Sequence, residues 1–166
     1  MAEFDALLTV AELAIAVAGF SVVISVFIAR GQLTQIDRSR FIWLFTTAFV
    51  TALLAYVPII LNQAGLSGEV LWQSASSIMI AVWFMSVIPW VMLTLRKRRE
   101  LLSAPIGYGE PFSLVIPSSL NLGIQIANTG GWFWVPSSAY YLFGTLVWLY
   151  AAALVFLAIF LHRPVE

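Results

Sequence analysis

The sequence predicts an all-α, polytopic transmembrane helix bundle with five spans, forming a single domain over residues 1–166, and three observations carry that expectation. Hydrophobic residues make up 61% of the chain and charged residues 10%, against about 45–50% and about 25% in soluble domains. Folded in water, a chain of 166 residues could not hide that much apolar surface, because small domains leave much of their surface wet. Apolar runs of spanning length recur along the chain, and almost every charge falls between them.

A membrane helix needs about 20 largely apolar residues. Leu7 to Ala29 meets that requirement with Glu12 as its only charge, and we read it as a retained helix. The preceding segment is acidic, where a secretory signal would be basic, although Ala16-Val17-Ala18 resembles a weak cleavage site. Phe41 to Leu61 and Val70 to Leu95 are the second and third spans, and Tyr140 to Leu161 is apolar almost throughout. Pro111 to Asn128 is the difficult segment, since Pro117, Asn121, Gln125 and Asn128 interrupt it. Its residues alternate in part like a strand, but a lone strand leaves its backbone unsatisfied in lipid. A polar-striped fifth span is one reading; four spans plus a re-entrant or interfacial segment 111–128 is the alternative.

Charge placement favours five. The basic residues are Arg30, Arg38, Arg40, Arg96, Lys97, Arg98, Arg99 and Arg163. Five crossings put all of them on one side, with the acidic N-terminus and Glu69 opposite. The positive-inside rule then makes the basic side cytoplasmic and the N-terminus external. Arg96, Lys97, Arg98 and Arg99 read as a topology signal at the lipid headgroups, where each basic residue gains about 1 kcal/mol near anionic lipid. Trp43, Trp72, Trp90 and Trp132 near span ends, with Phe133 and Trp134, suit the interface.

Net charge is zero, which offers nothing to nucleic acid. The absence of cysteine excludes thiol nucleophiles, iron–sulfur clusters and thiolate zinc sites. His162 is the single histidine, too few for a histidine-based metal centre. No phosphate-binding glycine loop, His-Glu-x-x-His or Gly-x-Ser-x-Gly is present, so neither an enzyme nor a cofactor is expected.

The remaining candidates are polar residues within the spans. Glu12 lies about a turn and a half inside the first one, where a charge is costly. It is either a proton or cation site or a residue close enough to the surface to meet headgroups. Ser118, Asn121, Gln125 and Asn128, spaced 3, 4 and 3 apart, share one helix face. That stripe is either interhelical glue, favoured by the energetics of such bonds, or the wall of a cavity. With five crossings, Glu12, Tyr56, Gln73, Ser77, Gln125, Asn128 and Tyr141 lie outward of a drier inner half. This predicts an outward-facing polar pocket lined by Glu12, Tyr56, Gln73, Asn121, Gln125, Asn128 and Tyr141. Ala14, Ala18, Ser21 and Ser25, at spacings of 4, 3 and 4, form a small-residue face for helix packing or a homo-oligomer interface. Pro58 and Pro89 are expected to kink their helices.

AELAIAVAGF (Ala11 to Phe20), QIANTGG (Gln125 to Gly131) and YYLFGTLVW (Tyr140 to Trp148) resemble parts of small bacterial inner-membrane proteins with no assigned activity. These share a first-helix Glu followed by Ala-Gly-Phe and an Asn-Gly turn before the last helix. The resemblance implies a bacterial plasma (inner) membrane and a shared bundle fold, and carries no activity or functional residue. Two functions are expected in turn. The first is an oligomeric channel- or transporter-like protein for a small solute, cation or proton. The second is a structural or accessory membrane subunit whose polar residues only pack helices. Membrane lipids are the partners common to both.

Overall fold

The computed structural model describes residues 2–28, 35–96, 109–131 and 137–161. Five helices make up nearly all of them: α1 (Ala2–Ile28), α2 (Gln35–Gln63), α3 (Gly68–Arg96), α4 (Gly109–Gly130) and α5 (Ser138–Leu161). Arg30, Lys97, Arg98, Arg99, His162, Arg163 and the Trp132–Trp134 aromatics lie outside the described residues, as do the side chains of Ser25, Arg38, Arg40, Pro89, Trp90 and Arg96. Four helices are long and apolar enough to cross a membrane, through Glu3–Val23, Phe41–Gln63, Gly68–Ile88 and Ser138–Leu157. These match four of the expected spans. The fifth, α4, is a helix of 22 residues that does not reach the same hydropathy, so length and composition alone leave it unassigned.

The chain divides into two compact units, one of Met1–Leu66 with Thr145–Glu166 and one of Ser67–Gly144. In the first, Leu7, Val10, Ala11, Ala14, Ala18 and Ser21 are buried along one face of α1, as the helical period dictates. α1 packs along α2, and the short link between them makes the pair antiparallel. Ala18, Leu44, Ala48 and Ala152 form the core, with Val17, Phe41, Val155 and Phe156 against it. Alanine on each of three helices lets backbones approach closely, the usual basis of packing where lipid is as apolar as the side chains. Ala14, Ala18 and Ser21 of the expected small-residue face are buried within the chain.

The C-terminus of α2 is a Schellman cap. Gly65, at φ 96°, donates its N–H to Asn62 O (3.0 Å), and Leu66 N donates to Leu61 O (3.0 Å). Those bonds satisfy carbonyls that a helix end orphans, and the left-handed position suits glycine. Gly131, at φ 64°, stands just past α4 in the same way.

In the second unit α3 and α4 run antiparallel. Ser76 bonds Gln125 and Asn128, Met79 meets Asn121, and Trp83 bonds Ser118, so numbers rise on one helix as they fall on the other. α4 and the start of α5 are antiparallel for the same reason, since Asn128 reaches Ser137 and Gln125 reaches Tyr140. α4 is built inside out relative to a helix in water. Asn121, Gln125 and Asn128 are buried, while Ile116 is 66% and Leu120 55% exposed.

Candidate functional site

Six of the described span hydroxyls are satisfied locally. Thr9 donates to Asp5 O (3.0 Å), Thr47 to Trp43 O (2.7 Å), Thr51 to Thr47 O (2.8 Å), Ser77 to Gln73 O (2.8 Å) and Ser86 to Val82 O (2.9 Å). Ser21 bonds Val17 O in the same manner. Each returns its proton to the carbonyl one turn back, which hides a polar group without help from another helix. Ser76 departs from this pattern, and a buried polar cluster among the described residues is built around it.

Ser76 Oγ donates to Gln125 Oε1 (2.8 Å) and accepts from Asn128 Nδ2 (2.8 Å). Gln125 uses both amide protons, donating to Asn121 Oδ1 (3.2 Å) and to the carbonyl of Tyr140 (2.8 Å). Asn121 Nδ2 faces Met79 Sδ at 4.0 Å, a weak acceptor. Asn128 Oδ1 accepts from Ser137 N at 3.0 Å, so an α4 side chain serves a backbone N–H at the start of α5 that no helix turn can satisfy. Farther along, Trp83 Nε1 donates to Ser118 Oγ at 2.6 Å. The stripe anticipated on α4 is thus bonded at every position.

Gly144 makes the cluster geometrically feasible. A Cβ there would lie 2.5 Å from Met79 Sδ, 2.6 Å from Gln125 Nε2 and 2.7 Å from Asn121 Oδ1. Gly144 also stands one turn beyond Tyr140, so the missing side chain uncovers the Tyr140 carbonyl for the Gln125 amide. Trp72 and Tyr141, both buried, bring ring centroids to 6.1 Å beside this network. Thr129 Oγ1 is a buried oxygen with no hydrogen-bond partner among the described residues.

Of the seven residues expected to line one outward pocket, Gln73, Asn121, Gln125, Asn128 and Tyr141 belong to the Ser67–Gly144 unit. Asn121, Gln125, Asn128 and Tyr141 are buried there in a packed, mutually bonded arrangement. Gln73 is half-buried, with its amide 3.9 Å from where a Gly131 Cβ would stand. Tyr56 and Glu12 belong to the other unit and are exposed. Ser77, also singled out from the sequence, is exposed and bonded to its own helix.

Ser76, Met79 and Gly144 escaped the sequence reading. Ser76 could have been chosen over Ser77, because it shares a helical face with Trp72, Met79 and Trp83. Nothing in the sequence pattern marks Gly144 as the notch.

Glu12 is the other polar feature within a span. It lies in the middle third of the Glu3–Val23 candidate span, about 13 Å along the helix from Glu3 at about 1.5 Å per residue. Its neighbours on the exposed surface include Leu8, Leu13 and Ile15. A charged side chain at that level in lipid costs about 2.5–3.5 kcal/mol on insertion scales. No group of three or more metal-ligating side chains occurs among the described residues. Comparison with protein-family models, curated proteins and solved structures finds no match to this chain.

Proposed function

We propose that this protein is a five-span structural or accessory subunit of the bacterial inner membrane, with its N-terminus outside and its C-terminus in the cytoplasm. The observation that carries the functional part is the state of Gln125. Its carbonyl oxygen and both amide protons are engaged by Ser76, Tyr140 and Asn121, at 1% exposure. A side chain so occupied binds helices together and has no donor left for a passing solute. The packed cluster therefore favours the accessory reading over the channel- or transporter-like one.

Full crossing by α4 is supported by its inverted amphipathicity. A helix lying in the interface would turn its polar stripe to water, whereas α4 turns Ile116 and Leu120 outward and buries its amides. Its 22 residues make about 33 Å of helix, enough for a hydrocarbon core of about 30 Å. Reporter fusions before Met1 and after Glu166 should score on opposite faces of the membrane. Scoring on the same face would leave four crossings.

The functional reading is tested with purified protein in liposomes and in detergent. Proton and monovalent-cation flux should equal that of empty liposomes. Gln125→Leu should lower the melting temperature, because three partners lose their bonds at once, each such bond being worth about 0.6–2 kcal/mol in membranes. Flux above the empty control that Gln125→Leu abolishes in still-folded protein would overturn the proposal in favour of transport.

A further inference from the structure

We infer that the outward face of α1 around Glu12 is a docking site for a transmembrane helix of another protein that carries a lysine or arginine at mid-depth. The inference rests on the accessory-subunit reading and names its partner by chemistry. Glu12 is exposed within a candidate span, and no hydrogen bond or ion pair reaches it among the described residues. An ionisable side chain in that position calls for a polar or charged partner. One turn along the same face, Leu13, Ala16, Val17, Phe20, Ala153 and Phe156 line a groove of about 230 Å³ between α1 and α5. Gly19 beside it has open space where a Cβ would stand. Ala16, Gly19 and Ala153 are small enough to admit a helix backbone at close range. An apolar groove and an unpaired carboxyl thus lie along one line of α1.

Charge complementarity selects a different chain as the occupant. All eight basic residues of this protein fall at residues 30, 38, 40, 96–99 and 163, at helix ends or between helices. A second copy inserted in the same orientation therefore brings no cation to the level of Glu12. A partner helix with one buried Lys or Arg supplies that charge and gains an acceptor for its own.

The test uses the full chain co-reconstituted in liposomes with synthetic Leu/Ala helices of about 20 residues, read by energy transfer between labels. One peptide carries a central Lys, one a central Leu and one a central Glu. The Lys peptide should associate about tenfold more tightly than the Leu peptide, a difference of about 1.4 kcal/mol. Glu12→Gln should abolish that preference, and Glu12→Lys should transfer it to the Glu peptide. Gly19→Leu, which adds bulk beside the groove and leaves the carboxyl in place, should weaken all three peptides. Equal binding of the Lys and Leu peptides, or a Lys preference that survives Glu12→Gln, would overturn the inference. So would a stable homo-oligomer that excludes the peptides, because the occupant would then be a second copy. Flux from a protein that still selects the Lys peptide would remove the accessory reading and leave the docking face standing.

Discussion

α1 and α2 meet through alanines, whereas α3 and α4 meet through amides and a hydroxyl. In the first unit Ala18, Leu44, Ala48 and Ala152 pack without a polar atom from their side chains. In the second, Ser76, Asn121, Gln125 and Asn128 are buried together and bonded across three helices. The two seams solve the same problem, that lipid gives helices no hydrophobic reason to associate. Close approach of small residues relies on dispersion, which tolerates some sliding. A hydrogen-bond network fixes register, because displacement by one residue would leave several polar groups unpaired in an apolar medium. The first seam should therefore be forgiving and the second exacting.

The sharpest comparison of the seams is a pair of substitutions that add bulk to each. Gly144→Ala adds one carbon and should cost about 3 kcal/mol, from overpacking together with loss of the Gln125 bonds. Its new Cβ meets Asn121 and Gln125 below 3.0 Å, and those amides are held by their partners. Ala48→Leu adds three carbons to a site of 0% exposure yet should cost less, about 2 kcal/mol. Thermal melts of both variants in one detergent decide the order. A larger loss for Ala48→Leu would show that the polar seam is no more exacting than the apolar one.

Adjacent serines sharpen the comparison within a single helix. Ser76→Ala removes a donor from Gln125 and an acceptor from Asn128, and should cost about 1–2 kcal/mol. Ser77→Ala removes only a bond to its own backbone and should stay within about 0.5 kcal/mol of the parent. Equal melting temperatures for the two would mean that Ser76 contributes no more than a local bond.

How much was legible beforehand differs between the seams for a physical reason. The α4 stripe could be read because Ser118, Asn121, Gln125 and Asn128 sit at helical spacing in one segment. Its destination could not be read, since an inward polar face is compatible with both glue and cavity until the partners are in place. Tyr56 and Glu12 were grouped with the stripe by depth alone. Depth says nothing about which side of a helix a residue occupies, and both prove exposed.

By itself the sequence determined the helices, the four strongly apolar runs and the polar face of α4, because each depends on composition and on the 3.6-residue period within one stretch of chain. Tertiary structure decided what those faces meet. Ser76 rather than Ser77 joins the network, Gly144 opens the Tyr140 carbonyl, and Glu12 points outward while Ala14 and Ala18 point in. Those outcomes depend on atoms from helices distant in sequence arriving within 3–4 Å of each other, and local periodicity does not encode such an arrival.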